Sequence, residues 1–281
     1  MKITSRSSLL LQLLCITIIA SIALLVHGTT TKDEQNSEPI LVHVDPTVDI
    51  SAASSSSSQN PVVAFDEKVE NEQALERFKA YLSVNTSHPN PSYDKAVQFL
   101  VKLADKLHFP YQIVRLDSGL DVVVLTYKNL LDEYKHSTES IMMNSHTDVV
   151  PADPAKWNSD PFVATTTSDG KIFARGAQDM KSVGMQYVEA VHRLKLRNVK
   201  LRYTIRIVFV PEEEVGAKRG MIPFLQTKEF KDMNVVFSFD EGIPIQDSNP
   251  LSIYYGENIA WWFKVTCEGN VGHGSQFIKN T

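Results

Sequence analysis

Apolar residues recur at helical spacing in two early stretches, Ala74, Phe78, Tyr81 and Leu82, then Ala96, Phe99, Leu100, Leu103 and Leu107. This spacing predicts two amphipathic helices. Residues 88–93 between them are rich in Pro and Asn and read as a loop. Short strand-like runs follow at 111–115, 121–127 and 140–144. A longer helical pattern over 180–196 puts Val183, Tyr187, Val191 and Leu194 on one face. Residues 201–210 and 234–239 read as further strands, with a short helix over 220–226 between them, and 259–266 begins another strand. Strands alternating with helices predict an α/β fold, layered around a central, largely parallel sheet.

The two ends of the chain read differently. Lys2 and Arg6 precede an apolar run over 9–26, and Val26 and Gly28 occupy the −3 and −1 positions of a cleavage site. Residues 1–28 therefore read as a secretory signal peptide, and the apolar run is also long enough for a retained membrane signal anchor. Residues 29–61 are polar, with Ser at every position from Ser54 to Ser58, which predicts a disordered linker. An ordered domain is expected over 62–255, with a smaller one starting at 256. Asn85-Thr86-Ser87 is a sequon, so entry into the secretory path predicts an N-glycan at Asn85.

Composition narrows the chemistry. The chain has 281 residues, a hydrophobic fraction of 43%, a charged fraction of 22% and a net charge of −5. No basic patch stands out, which argues against a nucleic acid partner. Cys15 and Cys267 are the only cysteines, too few for a disulfide framework or a Cys-rich zinc site. A metal here would need histidine and carboxylate.

Such residues cluster just past apolar runs, where open α/β sheets place their ligand crevice. His146 and Asp148 are two apart on an extended segment and face the same way, so Asp148 could hold the second ring nitrogen of a metal-binding His146. Alone, that pair is equally an ordinary strand-end histidine. Asp179 opens the long helix, where it could cap the first turn or bridge two cations about 3.5–4 Å apart. Glu212, Glu213 and Glu214 follow an apolar strand. They form either a solvated turn or a site in which one acid binds metal and its neighbour acts as general base. Asp240 and Glu241 repeat the arrangement after 234–239.

The stretches NSHTDVVPA, FARGAQDMK, VPEEEVGAKRGM and FDEG, with Trp157, Pro161 and Phe162 among them, resemble the zinc aminoacylase and carboxypeptidase superfamily of metallohydrolases. The resemblance runs from about Leu75 to the end, in the same order and with similar spacing. It implies two zinc ions, one held by His146, Glu241 and Asp179, the other by Asp179 and Glu214. It makes Asp148 the partner of His146 and Glu213 the catalytic base, in register with the Val-Gly that ends the family's motif. Gly272-His273-Gly274-Ser275 resembles a segment of the family's lid and dimerisation domain, whose histidine stabilises the oxyanion in the partner subunit's site. A homodimer is thereby implied.

The implied reaction hydrolyses the amide bond of a small-molecule N-acyl-L-amino acid to a carboxylate and an L-amino acid. A carboxypeptidase or dipeptidase and a long-chain N-acyl amino acid hydrolase are alternatives within the superfamily, and a non-catalytic binding module is one outside it. The family is typically cytoplasmic, whereas the leader predicts secretion. By the same resemblance a further histidine from beyond the lid completes the second zinc site. These 281 residues alone are therefore expected to be inactive.

Overall fold

The computed structural model describes residues 66–242 and 263–266. The chain divides into two compact units, Met1–Glu241 and Gly242–Thr281. The expected leader, linker, lid boundary at 255–256 and His273 lie outside the described residues. Among the described residues no helix is long and apolar enough to cross a membrane.

Two helices come first among the described residues. Helix α1, Glu67–Leu82, is capped by Asp66, whose carboxylate accepts from the N–H groups of Lys68 and Val69. Glu67 and Glu70 in its first turn and Lys79 in its last complement the helix dipole. Helix α2, Tyr93–Leu107, ends at His108, which turns left-handed with φ 55°. The ring of Phe99 stacks on that of Tyr81, with centroids 4.9 Å apart, and joins the two helices.

Among the described residues five strands form the sheet: β1, Tyr111–Arg115; β2, Asp121–Tyr127; β3, Ser140–His146; β6, Thr204–Val210; and β7, Val235–Phe239. Their order is β1-β2-β6-β3-β7. Strand β3 is parallel to both β6 and β7, while β2 is antiparallel to β1 and β6. Four of the five strands therefore point the same way, and β2 alone is reversed. A two-stranded ribbon of β4, Thr165–Thr166, and β5, Ile172–Phe173, stands apart.

Helix α3, Lys181–Leu196, carries the chain from β3 to β6. The short helices α4, Met221–Phe224, and α5, Lys228–Asp232, lead back past β3 to β7. Alternating strand residues serve two cores. Val123, Leu125, Ile141, Met143, Ile207 and Phe209 pack with α1, α2 and α3. Val122, Val124, Met142, Val208 and Val210 pack with Phe224 and Met233 on the other side. Covered on both faces, β3 is buried at every position, its apolar centre Ile141, Met142 and Met143 as well as the polar Ser140, Asn144, Ser145 and His146.

Several boundaries move. Strand β3 continues to His146, two residues past the expected end, because its pairing with β6 extends through His146 and Val210. Strand β6 starts at Thr204, not 201, and α3 starts at Lys181 with Met180 at its cap position. The ribbon β4–β5 and helix α5 were not expected. Each is too short for periodicity to register, although Thr227 caps α5 through the N–H of Phe230. In the segment expected as a strand over 259–266, the described residues 263–266 carry no strand, and Phe263 and Val265 are exposed.

Candidate metal centre

The crevice lies at the carboxyl ends of the parallel strands β6, β3 and β7. His146 ends β3 at 1% exposure. Its Nε2 lies 3.0 Å from Asp179 Oδ1, 3.7 Å from Glu213 Oε2 and 3.7 Å from Glu241 Oε1. These carboxylates come from the turn before α3, the turn after β6 and the end of β7. They stand 56%, 49% and 34% exposed, so acids line an open cleft with a buried imidazole at its base.

Two overlapping groups of three donors result, His146 with Asp179 and Glu241, and His146 with Glu213 and Glu214. Within each group the donor atoms lie inside 4.8 Å of one another. Glu214 Oε1 is buried without a hydrogen-bond partner among the described residues. One borderline nitrogen donor, several carboxylate oxygens and an unpartnered buried oxygen fit a divalent cation.

The electrostatics express the same demand for positive charge. Burial works against a charged His146, yet hydrogen bonds to Asp179 and Glu241 and the charge of Asp148 push its pKa up to about 11. The imidazole holds the Asp179 carboxyl below its ordinary value. Burial, then repulsion from Asp179, pushes Glu214 up to about 7. Glu213 is raised as well, by burial above all. Acids crowded around a single imidazole, two of them raised by burial and mutual repulsion, are the complement of a cation.

The three adjacent glutamates separate cleanly. Glu212 takes a left-handed φ of 70°, and its carboxylate turns to Arg219, accepting from the backbone N–H and lying 3.6 Å from Nη1. Glu213 and Glu214 begin the short turn Glu213–Val215 and face His146. Glu213 and Glu214, and not Glu212, are thus the glutamates beside His146. This arrangement also excludes a fully solvated turn.

Asp148 is close to its expected place but does something different. The atom beside His146 Nδ1 is the backbone carbonyl oxygen of Asp148, at 2.8 Å, while Asp148 Oδ1 lies 3.7 Å away. The carboxylate, fully buried, instead accepts the N–H groups of Glu213 and Glu214, each at 3.1 Å, and pairs with His88 Nε2 at 2.8 Å. Nor is Asp179 the cap of α3, since the cap position belongs to Met180 and has no side-chain cap bond. Asp179 is left free for the crevice. Asp240 locks the end of β7, accepting from Asn144 Nδ2 through its side chain and from the Tyr187 hydroxyl through its main chain.

A small cavity of about 240 Å³ adjoins Asp179, lined by Val150, Trp157, Ile172, Arg175 and Gln178 among others. The Arg175 guanidinium lies over the Trp157 ring, 5.4 Å from its centroid. Sequence reasoning missed His88, which sits in what read only as a loop.

Residues 142–270 match peptidase family M20/M25/M40. The chain is 38% identical to aminoacylase-1 of Dictyostelium discoideum over 205 residues and 42% identical to aminoacylase-1A of Rattus norvegicus over 204, in each case 73% of this chain and 49% of the relative. The chain thus spans about half the length of these curated relatives. Its fold matches that of an M20 family metallo-carboxypeptidase from Sulfolobus solfataricus, with a TM-score of 0.51 and 23% identity over 61% of this chain and 37% of that one. Residues 142–270 are thus similar to peptidase family M20/M25/M40, and the chain is similar to about half the length of the aminoacylase-1 proteins.

Proposed function

We propose that the full-length protein is a zinc-dependent hydrolase that cuts the amide bond of N-acyl-L-amino acids to give a carboxylate and a free L-amino acid. The observation that carries this reading is the convergence on His146 Nε2 of carboxylates from three separate segments, within 3.7 Å. The likeness to aminoacylase-1 proteins selects the substrate class.

His146, Asp179 and Glu241 would hold one zinc, and Asp179 with Glu214 the other. Two such ions would supply Lewis acidity toward water and the amide carbonyl. Glu213, beside a ligand and raised in pKa by burial, takes a proton from water and returns it to the leaving amine. The backbone oxygen of Asp148 at Nδ1 fixes the tautomer that leaves His146 Nε2 free as a donor to metal. His273 of a partner subunit would stabilise the oxyanion, which makes the active form a homodimer. The cavity beside Asp179 leaves room for one arm of the substrate.

The test is turnover of N-acetyl-methionine by the full-length protein, lost on chelation and restored by zinc. Turnover of dipeptides alone would favour the peptidase alternative, and preference for long acyl chains the long-chain hydrolase. Bound zinc without turnover of any of them would favour a binding module.

For location, we propose secretion with removal of residues 1–28 and a glycan on Asn85, whose side chain is exposed while the sequon's Thr86 is buried. Intact-mass measurement of protein from a secretory host tests both claims. Cytosolic protein retaining residues 1–28 would defeat them.

A further inference from the structure

We infer that His88 is a positioning residue for the catalytic glutamate, acting through the buried carboxylate of Asp148. The inference rests on the hydrolase reading above. His88 touches neither substrate nor metal in that reading. It lies one residue chain away from Glu213, and the links are short. Its Nε2 is 2.8 Å from Asp148 Oδ2, and the two oxygens of that carboxylate accept the N–H groups of Glu213 and Glu214.

A carboxylate that accepts two backbone N–H groups and an imidazole has its orientation set from three sides. Ionised, it has only acceptors, so His88 must supply a proton at Nε2. Without that donor a fully buried oxygen loses one of its partners, and water reaches it poorly. The carboxylate can then rotate, and both amides of the Glu213–Val215 turn follow it. Glu213 would move with its own backbone.

The segment bearing His88 is itself fixed to the strand end it serves. Thr86 Oγ1 donates to the Thr147 carbonyl at 2.6 Å, Val149 N–H donates to Thr86, and His88 N–H donates to Val149. Lys181 Nζ, at the start of α3, donates to the carbonyls of Tyr81 and Val84 just upstream. His88 is therefore delivered to Asp148 by main-chain pairing, with its ring 14% exposed. An exposed loop histidine would have no such pairing.

The experiment compares His88→Ala with His88→Gln in the full-length protein, at saturating zinc and a temperature where both are folded. Gln can donate to the carboxylate and Ala cannot. The expected result for His88→Ala is a kcat lower by about 10–100-fold, with KM changed less than about twofold and zinc content unaltered. His88→Gln should recover most of that loss. A purely structural role would lower stability and leave kcat per folded molecule unchanged. Wild-type kcat in His88→Ala overturns the inference, and so does an equal loss in both variants. Should His88→Ala fail to fold, His88→Met keeps bulk without a donor and makes the same comparison. If the wild-type protein itself turns over no substrate, it is the hydrolase reading that fails.

Discussion

Arg77 of α1 and Glu189 of α3 meet in a buried, two-pronged ion pair, Nε to Oε1 at 2.7 Å and Nη2 to Oε2 at 2.8 Å. The pair ties the opening helix to the helix whose first turn follows Asp179. Breaking it from one side removes the nearest counter-charge of a buried group, and Arg77 is left with Gln73 at 3.3 Å and Glu70 at 3.7 Å. Glu189→Leu should cost about 3–5 kcal/mol in urea unfolding. The double change Arg77→Met with Glu189→Leu should cost less than either single one, because no charge is left unpaired. Single and double losses that simply add would contradict this account.

Glu213→Gln and Asp179→Ala should separate the proposed base from the proposed bridge. In the full-length protein the first lowers kcat by at least about 100-fold, the usual scale for a general base, and leaves two zinc ions bound. The second releases both. Metal analysis beside the rate assay reads the difference, and zinc lost with Glu213→Gln would move Glu213 among the ligands.

Acid should find His192 early. Burial, reinforced by Arg77, Lys195, Arg193 and His108, pushes its pKa down to about 4 from 6.5. Glu70, the nearest acid, stands 3.7 Å away, too far for a hydrogen bond. The folded state thus prefers neutral His192. Its contribution is complete above pH 6.5 and is lost as pH falls toward 4. Between those values, stability of His192→Gln measured by denaturant should fall less steeply than that of the wild type. Parallel slopes would remove His192 from the acid response.

Gly184 sits where α3 crosses the sheet. A Cβ there would lie 2.5 Å from Ser145 Oγ and 2.9 Å from Phe209 Cε1. Gly184→Ala should gain about 1 kcal/mol of helix propensity and lose about 1–3 kcal/mol to overpacking. A lower thermal midpoint is expected. A rise would mean that α3 can lift from β3 without cost.

His146, Glu213, Glu214 and Glu241 were legible as candidates because each ends or follows an apolar strand that periodicity finds, and strand ends in such sheets gather at one crevice; Asp179 was legible from its place at the start of the long helix. Which two of the three glutamates stand beside His146 was expected only from the resemblance to the family motif that ends in Val-Gly. The role of Asp148 was not. Equal facing of residues two apart holds only within a strand, and β3 ends at His146. Beyond it the chain leaves the pleat, so the Asp148 carbonyl falls beside Nδ1 and the carboxylate swings to the glutamate turn. His88 was illegible for another reason. Its partner is 60 residues away, and nothing local distinguishes it from any loop histidine. The reversed β2 escaped notice because antiparallel and parallel neighbours carry the same apolar runs when both faces are covered.

Among the described residues, strand β7 pairs with β3 alone. Glu241 follows it by two residues, and the proposed ion would join Glu241 to His146 at the tip of β3. Metal would then work as a latch between β7 and β3, closed only once β7 has docked. Stripping it should quicken hydrogen exchange in Val235–Phe239 while the amides of Thr204–Val210, enclosed by strands on both sides, keep their protection. Zinc uptake would become a clock for the end of folding, its arrival dating the moment β7 comes to rest.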